Sequence, residues 1–466
     1  MKIAYWSPLS PMGTGVADYS EELLPYLAEG ADVHLFVDGY TPSPSKVTEM
    51  LPWHQASDFE EVDEREHFDL NLYQLGNSSY HRYALNAALR FPGVVVLHDL
   101  VLQHLFLGLS VERANVELYV AEMKRAYGER GAAIGRQIAQ ALGSDLLVSK
   151  FPLCERVVER SYGVLVLTRF MQRWLRRRFG SMPVGKFIGK APHHYAPPPP
   201  LPTDDPFEAR KILGLPQDGF LVSTFGLVTR AKRIGQAVEG FRLFARDRPE
   251  ARFLIVGEVQ KGFPIEDHAG EDLGKKILVT GRQPMDRFYL YMLASDVVLN
   301  LRFPSTGELS GTLIRTLGMG KPVLVSNTGP FVEFPEYTVA RIDLGPPEIK
   351  EIGATLELLA RRPELREAMG RFAREHVEET YSLRAEASAY LAFLEAVLAG
   401  LRAGSVAAPP PYEQADLAAA IAATISDLPL GETFGLETVR EALRSATEQG
   451  FHGLSTKRSG GSGIAT

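Results

Sequence analysis

Cysteine is almost missing from this chain: Cys154 is the only one among 466 residues. That excludes an intrachain disulfide and any cysteine-based metal centre, and it fits a reducing compartment. Positive charge is not in excess. Fifty Lys and Arg stand against 57 Asp and Glu, a formal net charge of −7, which argues against nucleic acid as a partner. No apolar run is long enough to span a bilayer. The first residues, Met1 to Trp6, enter a strand with no secretory apolar segment before it. The expected location is the cytoplasm, with the inner face of the membrane as one place of action. No Gly-Lys-Ser/Thr follows Gly13-Thr14-Gly15, so this turn is not a P-loop. Asp18 stands where a full dinucleotide fingerprint needs a small residue.

Short apolar runs alternating with helical patterns are plentiful. Ile3 to Trp6, Val33 to Val37, Leu70 to Tyr73, Val94 to Leu97 and Val164 to Leu167 have the length and composition of buried strands. A helical stretch from about 100 to 158 interrupts them. After the stiff segment Pro197 to Pro202 the alternation restarts, with Leu221 to Phe225, Phe253 to Val256, Ile277 to Val279, Val297 to Leu299 and Val323 to Val325. The pattern predicts an α/β protein of two doubly wound, Rossmann-like domains, residues 1–200 and 201–382, facing a central cleft. A helical pattern over 383–402 is expected to close the second domain. Residues 403–466 read as a linker, a short helical extension and a Gly/Ser-rich tail.

Polar clusters fall at the carboxyl ends of these strands, where doubly wound folds bind ligands. Ser310-Gly311-Thr312 opens a helix after the strand at Val297; its free N–H groups and partial positive charge suit a phosphate, and glycine permits close approach. Glu308 precedes it, placed to accept hydrogen bonds from sugar hydroxyls. On this segment alone, a plain strand-to-helix turn capped by Ser or Thr is an equal reading. Arg230, Lys232 and Arg233 lie after the strand at Leu221, and cations there suit a diphosphate. In the first half, Gly13 and Gly15 follow the first strand. Asn77 and His81 follow the third, and His98-Asp99 the fourth.

Taken together, these residues resemble the retaining GT-B glycosyltransferases of family four. The likeness runs over roughly 1–401. It rests on Gly13 to Gly15, His98-Asp99, Lys232-Arg233, and Pro304-Ser305-Thr306-Gly307-Glu308 leading to Gly320-Lys321-Pro322. Leu75-Gly76-Asn77 and Gly307-Glu308-Leu309-Ser310-Gly311 resemble a bacterial polysaccharide-assembly branch. The resemblance implies sugar transfer from a nucleotide diphosphate sugar, UDP- or GDP-type, to a hydroxyl on a glycan or lipid-linked glycan. It implies retention of configuration, and no cofactor or metal. Catalytic roles would fall to His98 and Glu308. The donor diphosphate would be held by Gly13, Gly15, Lys232, Arg233, Ser310, Gly311 and Thr312, and the nucleoside by Arg282 and Thr316. Asp18, Asn77, His81 and Asp99 would face the acceptor. Two departures stand out: Thr316 occupies the place of the family's second glutamate, and Leu227 that of an arginine. An epimerase of the same fold, and a non-catalytic nucleotide-sugar-binding scaffold, remain alternatives. A basic stretch, Arg169 to Phe179, could touch an anionic membrane or lipid-diphosphate acceptor through Phe170, Trp174 and Leu175, or pack as an ordinary helix. The oligomeric state stays open.

Overall fold

The computed structural model describes residues 1–112, 115–140, 142–182, 185 and 187–406. Most of the helical extension expected over 403–466 therefore lies outside the described residues. The strands sort into two all-parallel sheets. The first has β1 (Lys2–Trp6), β2 (Asp32–Val37), β3 (Trp53–Gln55), β4 (Leu70–Leu75), β5 (Val94–Leu97), β6 (Gly163–Val166) and β7 (Ile188–Lys190), in the order β3-β2-β1-β4-β5-β6-β7. The second has β8 (Leu221–Phe225), β9 (Arg252–Val256), β10 (Ile277–Val279), β11 (Val297–Asn300), β12 (Val323–Ser326) and β13 (Ala340–Ile342), in the order β10-β9-β8-β11-β12-β13. Helices cover both faces, so central strands are apolar throughout; all four residues of β5 are buried. Each sheet reverses its order once, between β1 and β4 and between β8 and β11.

By contact the chain forms two compact units. One joins Met1–Leu105 with residues 144–406 and carries both sheets. The other contains Phe106–Gly143. There the helix Val116–Ala139 breaks at Gly128 (φ 65°) and doubles back. A Cβ on Gly131 would lie 2.1 Å from the Met123 carbonyl oxygen, so only glycine lets the two arms approach.

The helix Leu383–Arg402 corrects one expectation. It does not close the second domain. Ala387, Tyr390, Leu394 and Val397 enter the core beneath the first sheet, with Ile3, Leu23, Leu24 and Val33. The chain therefore crosses between the sheets twice. The two crossings meet where the Tyr195 amide donates to the Tyr381 carbonyl at 2.6 Å. The apolar stripe alone, without long-range partners, could not say which sheet it covers.

The Arg169–Phe179 helix likewise turns a different stripe inward. Met171, Leu175 and Phe179 are buried at four-residue spacing, while Phe170 and Trp174 are half-buried.

Leu394 is fully buried in the first-sheet core. Leu394→Ala should destabilise the chain by about 2–5 kcal/mol, read as a lower urea midpoint. An unchanged midpoint would mean that the helix is not seated on this sheet.

Candidate functional site

Both order reversals point to one place, because loops after β1, β4, β8 and β11 leave from the carboxyl edges beside them. After β8 the chain turns at Gly226, whose φ is +84°. A Cβ there would lie 2.9 Å from Lys232 Nζ and 3.5 Å from Thr312 Cγ2. Lys232 Nζ donates to the Phe225 carbonyl. Burial, reinforced by Arg302, holds its pKa well below the usual lysine range. Arg233 is not part of this place. Its guanidinium pairs with Glu348 through Nε, at 2.9 Å, and Nη2. Glu348 is 1% exposed, and a carboxylate so buried requires a cation. Arg233 is therefore a structural residue here.

After β11, Ser310 caps the helix Gly311–Gly318. Its Oγ accepts from the Leu313 amide at 3.3 Å and donates to Asn300 Oδ1 at 3.1 Å. The first-turn amides of Gly311 and Thr312 lie outside the helix's own ladder. Gly226, Lys232, Gly311 and Thr312 thus converge. Thr316 does not join them. Its side chain is buried and Oγ1 donates back to the Thr312 carbonyl at 2.6 Å. Two buried donors nearby, Asn300 Nδ2 and Arg302 Nε, have no hydrogen-bond partner among the described residues. Leaving such groups unpaired costs roughly 1–3 kcal/mol each, and an incoming acceptor would remove that cost.

Glu308 is tightly held. Arg302 Nη1 donates to Oε1 at 2.6 Å, and the Thr306 amide to Oε2 at 2.8 Å. Across from it, Thr306 Oγ1 lies 3.0 Å from Asp99 Oδ1 and the Leu100 amide donates to the Thr306 carbonyl at 2.9 Å. The loops after β5 and β11 are therefore in direct contact. Arg302 was not singled out in the sequence. The available signal was a cation two residues past the end of β11, immediately before the motif that contains Glu308.

On the first sheet's side, Thr14 caps the helix Gly15–Leu27. A Cβ on Gly13 would fall 2.7 Å from Arg282 Nη1, so Gly13 and Arg282 adjoin, whereas Gly15 has open space around it. Asp18 is exposed on that helix. Partial dehydration, with Glu22 and Glu21 adding to it against Arg315 and Arg282, pushes its carboxyl up to about 6. Arg315 bridges the halves, donating to Glu22 Oε1 and to the Tyr289 hydroxyl, both at 2.6 Å.

His98 Nε2 lies 2.8 Å from Gln74 Oε1, and its ring meets Tyr19 edge-on at 4.6 Å. Burial holds its pKa well below the usual histidine range, so it is a neutral ring at the cleft. His81 is almost fully buried on the Gln74 carbonyl, and burial pushes it down to about 4. Asn77 Oδ1 accepts from the amides of His104 and Leu105 at 2.9 and 3.2 Å. Both side chains are thereby committed to the frame rather than turned to an acceptor.

Two residues that the sequence did not flag lie here. His193 Nδ1 is 2.7 Å from the His194 carbonyl, and Nε2 is 3.9 Å from where a Cβ on Gly311 would be. His194 sits between Glu22, at 2.8 Å, and Glu386. Burial opposes its charge, but Glu386 and Glu22 outweigh this and hold it at about 9. Among the described residues, no three His, Cys, Asp or Glu side chains are grouped closely enough to hold a metal ion. No described helix is long and apolar enough to cross a membrane.

Solved structures share this fold. No curated protein matches the sequence. Among solved structures, a sucrose-phosphate synthase from Thermosynechococcus elongatus aligns with TM-score 0.59 and 17% identity, covering 86% of this chain and 99% of its own. Anabaena HepE in complex with UDP aligns with TM-score 0.56 and 14% identity, over 86% and 100%. The glycosyltransferase WaaG, involved in lipopolysaccharide biosynthesis, aligns with TM-score 0.56 and 15% identity, over 84% and 99%. These likenesses establish the GT-B fold. Residues 205–376, which carry the second sheet, match the family model of glycosyl transferases group 1.

Proposed function

We propose that this protein transfers a sugar from a nucleotide diphosphate sugar to a hydroxyl acceptor. The observation that carries the reading is the meeting of Gly226, Lys232 and the Gly311 helix start within the family-matched domain. A diphosphate there would draw Lys232 away from the Phe225 carbonyl and favour its charged form. The helix amides and Arg302 Nε would add donors to the leaving group. These groups stabilise the developing charge with the chain's own cations, so the reading is of a metal-independent transfer, with retention as the family resemblance implies. HepE structures hold UDP and UDP-glucose, which favours a UDP-type donor. Glu308 would position the donor sugar, and His98, neutral at the cleft, would offer it a hydrogen bond. The acceptor is read as a glycan or lipid-linked glycan, as in polysaccharide assembly. The exposed arginines of the Arg169–Phe179 helix, Arg173, Arg176, Arg177 and Arg178, would favour peripheral contact with an anionic membrane by about 1 kcal/mol per charge near the surface.

Lys232→Ala should weaken UDP binding by about 1.5–3 kcal/mol, the scale of a charged hydrogen bond, as measured by titration calorimetry. Because Lys232 starts with a lowered pKa, binding by the parent should take up protons at alkaline pH, and the variant should take up fewer. Equal affinity and equal proton uptake would remove Lys232 from the site.

Glu308→Gln should lower sugar transfer by about 100-fold, the scale of a lost transition-state contact, while UDP affinity changes little. Transfer at the parent rate would show that Glu308 does not act on the donor sugar.

The membrane reading predicts sedimentation with anionic liposomes at low salt and release at high salt. Failure to sediment at low salt would leave a soluble acceptor.

A further inference from the structure

The carboxyl groups of Asp99 and Glu308 meet on a single hydroxyl. Thr306 Oγ1 is 3.0 Å from Asp99 Oδ1 and 2.5 Å from Glu308 Oε2. A threonine hydroxyl carries one hydrogen. It can serve one of these oxygens as donor. Towards the other it presents a lone pair, which is repulsive unless that carboxyl brings its own proton. Glu308 already accepts from Arg302 Nη1 and the Thr306 amide, one donor on each oxygen, which leaves Oε2 as a further acceptor for the Thr306 hydroxyl. Asp99 accepts one further bond, from the Asn77 amide at 2.9 Å. The extra proton therefore belongs on Asp99. The chain of donors runs from Asp99 Oδ1–H to Thr306 Oγ1, and from Thr306 Oγ1–H to Glu308 Oε2.

We propose that Asp99 is a positioning residue: in its protonated form it joins the loops after β5 and β11 and, through the Thr306 hydroxyl, fixes the carboxylate of Glu308. The inference rests on the reading of Glu308 as the group that positions the donor sugar. It differs from the acceptor-facing role expected for Asp99, whose carboxyl is turned to Thr306 and Asn77.

The surrounding charges agree. Burial first, then the charge of Glu308, push Asp99 up to about 6, with Arg302 working in the opposite direction. From the β4 side, His81 adjoins through Gly76, where a Cβ would be 3.0 Å from His81 Nε2 and 3.4 Å from Asp99 Oδ2. His81 is neutral above about 4 and adds no charge. His98, the preceding residue, is also neutral. Asn77 and Leu100 contribute main-chain amides only. The sign follows. A carboxyl whose pKa is raised by the contact stabilises it while protonated. The seam is strongest below about 6 and weakens as pH rises and Asp99 ionises beside Glu308.

The test pairs carbon-13 carboxyl NMR of the nucleotide-free full chain with transfer rates against pH, for the parent, Asp99→Asn and Asp99→Ala. Asparagine supplies an N–H where the protonated acid has its O–H, at every pH. The parent should show two carboxyls titrating near pH 6, those of Asp18 and Asp99, and Asp99→Asn should lose one of them. The parent's kcat should fall about tenfold per pH unit above that point, with KM for the donor little changed. Asp99→Asn should keep the low-pH rate across the range, and Asp99→Ala should be slow throughout. An Asp99 midpoint near the ordinary value of about 4, or an Asn variant with the parent's pH profile, would overturn the proposal. If no donor supports transfer, the functional reading fails, and the carboxyl titration alone still decides this inference.

Discussion

The main-chain bond from the Leu100 amide to the Thr306 carbonyl holds the rest of the site in register. It ties the end of β5 in one sheet to the loop after β11 in the other. Around it the contact is built from shape as well as polarity. Gly307 has φ +85°, and a Cβ there would strike Met171 Cγ at 2.9 Å. The Thr168 hydroxyl donates to the Gly307 carbonyl at 3.2 Å. Glu333, from the second sheet's side, accepts from the Arg169 and Phe170 amides at 3.0 and 2.5 Å, where a helix start favours an anion. These contacts close the carboxyl edges of the two sheets on each other, and a reaction there would be shielded from water.

Charge inside this seam is balanced locally. Arg233 is neutralised by Glu348, Arg302 by Glu308, and Arg315 by Glu22. Lys232 has a carbonyl rather than a carboxylate as its partner, and burial, with Arg302 nearby, disfavours its charge. The donor site thus lacks a standing excess of positive charge. Its affinity for a diphosphate would come from amides at a helix start and from a lysine whose charged form the arriving anion would favour. That fits a chain whose overall charge is negative.

Much of the fold was legible in the sequence. Ten strands are long or apolar enough to stand out. The three others, β3, β7 and β13, are three-residue edge strands that include polar residues or glycine, so no apolar run marks them as it marks the equally short β10. The Gly311 helix start was readable because its cap, its apolar spacing and the strand before it agree. The second partner of each charged group was not readable. Nothing near Arg233 in the chain announces Glu348, 115 residues away. Asp99 and Thr306 are separated by 207 residues. Thr316 was legible as a departure from the family pattern, but its hydroxyl's return to its own helix was not. His193 and His194 follow β7, a strand too short to mark its carboxyl end.

A crystal structure of the full chain with UDP tests the central claim most directly. The account predicts the β-phosphate within hydrogen-bond reach of the Gly311 and Thr312 amides, with Lys232 Nζ moved from the Phe225 carbonyl onto a phosphate oxygen. A diphosphate bound elsewhere, with Lys232 still on that carbonyl, would contradict it.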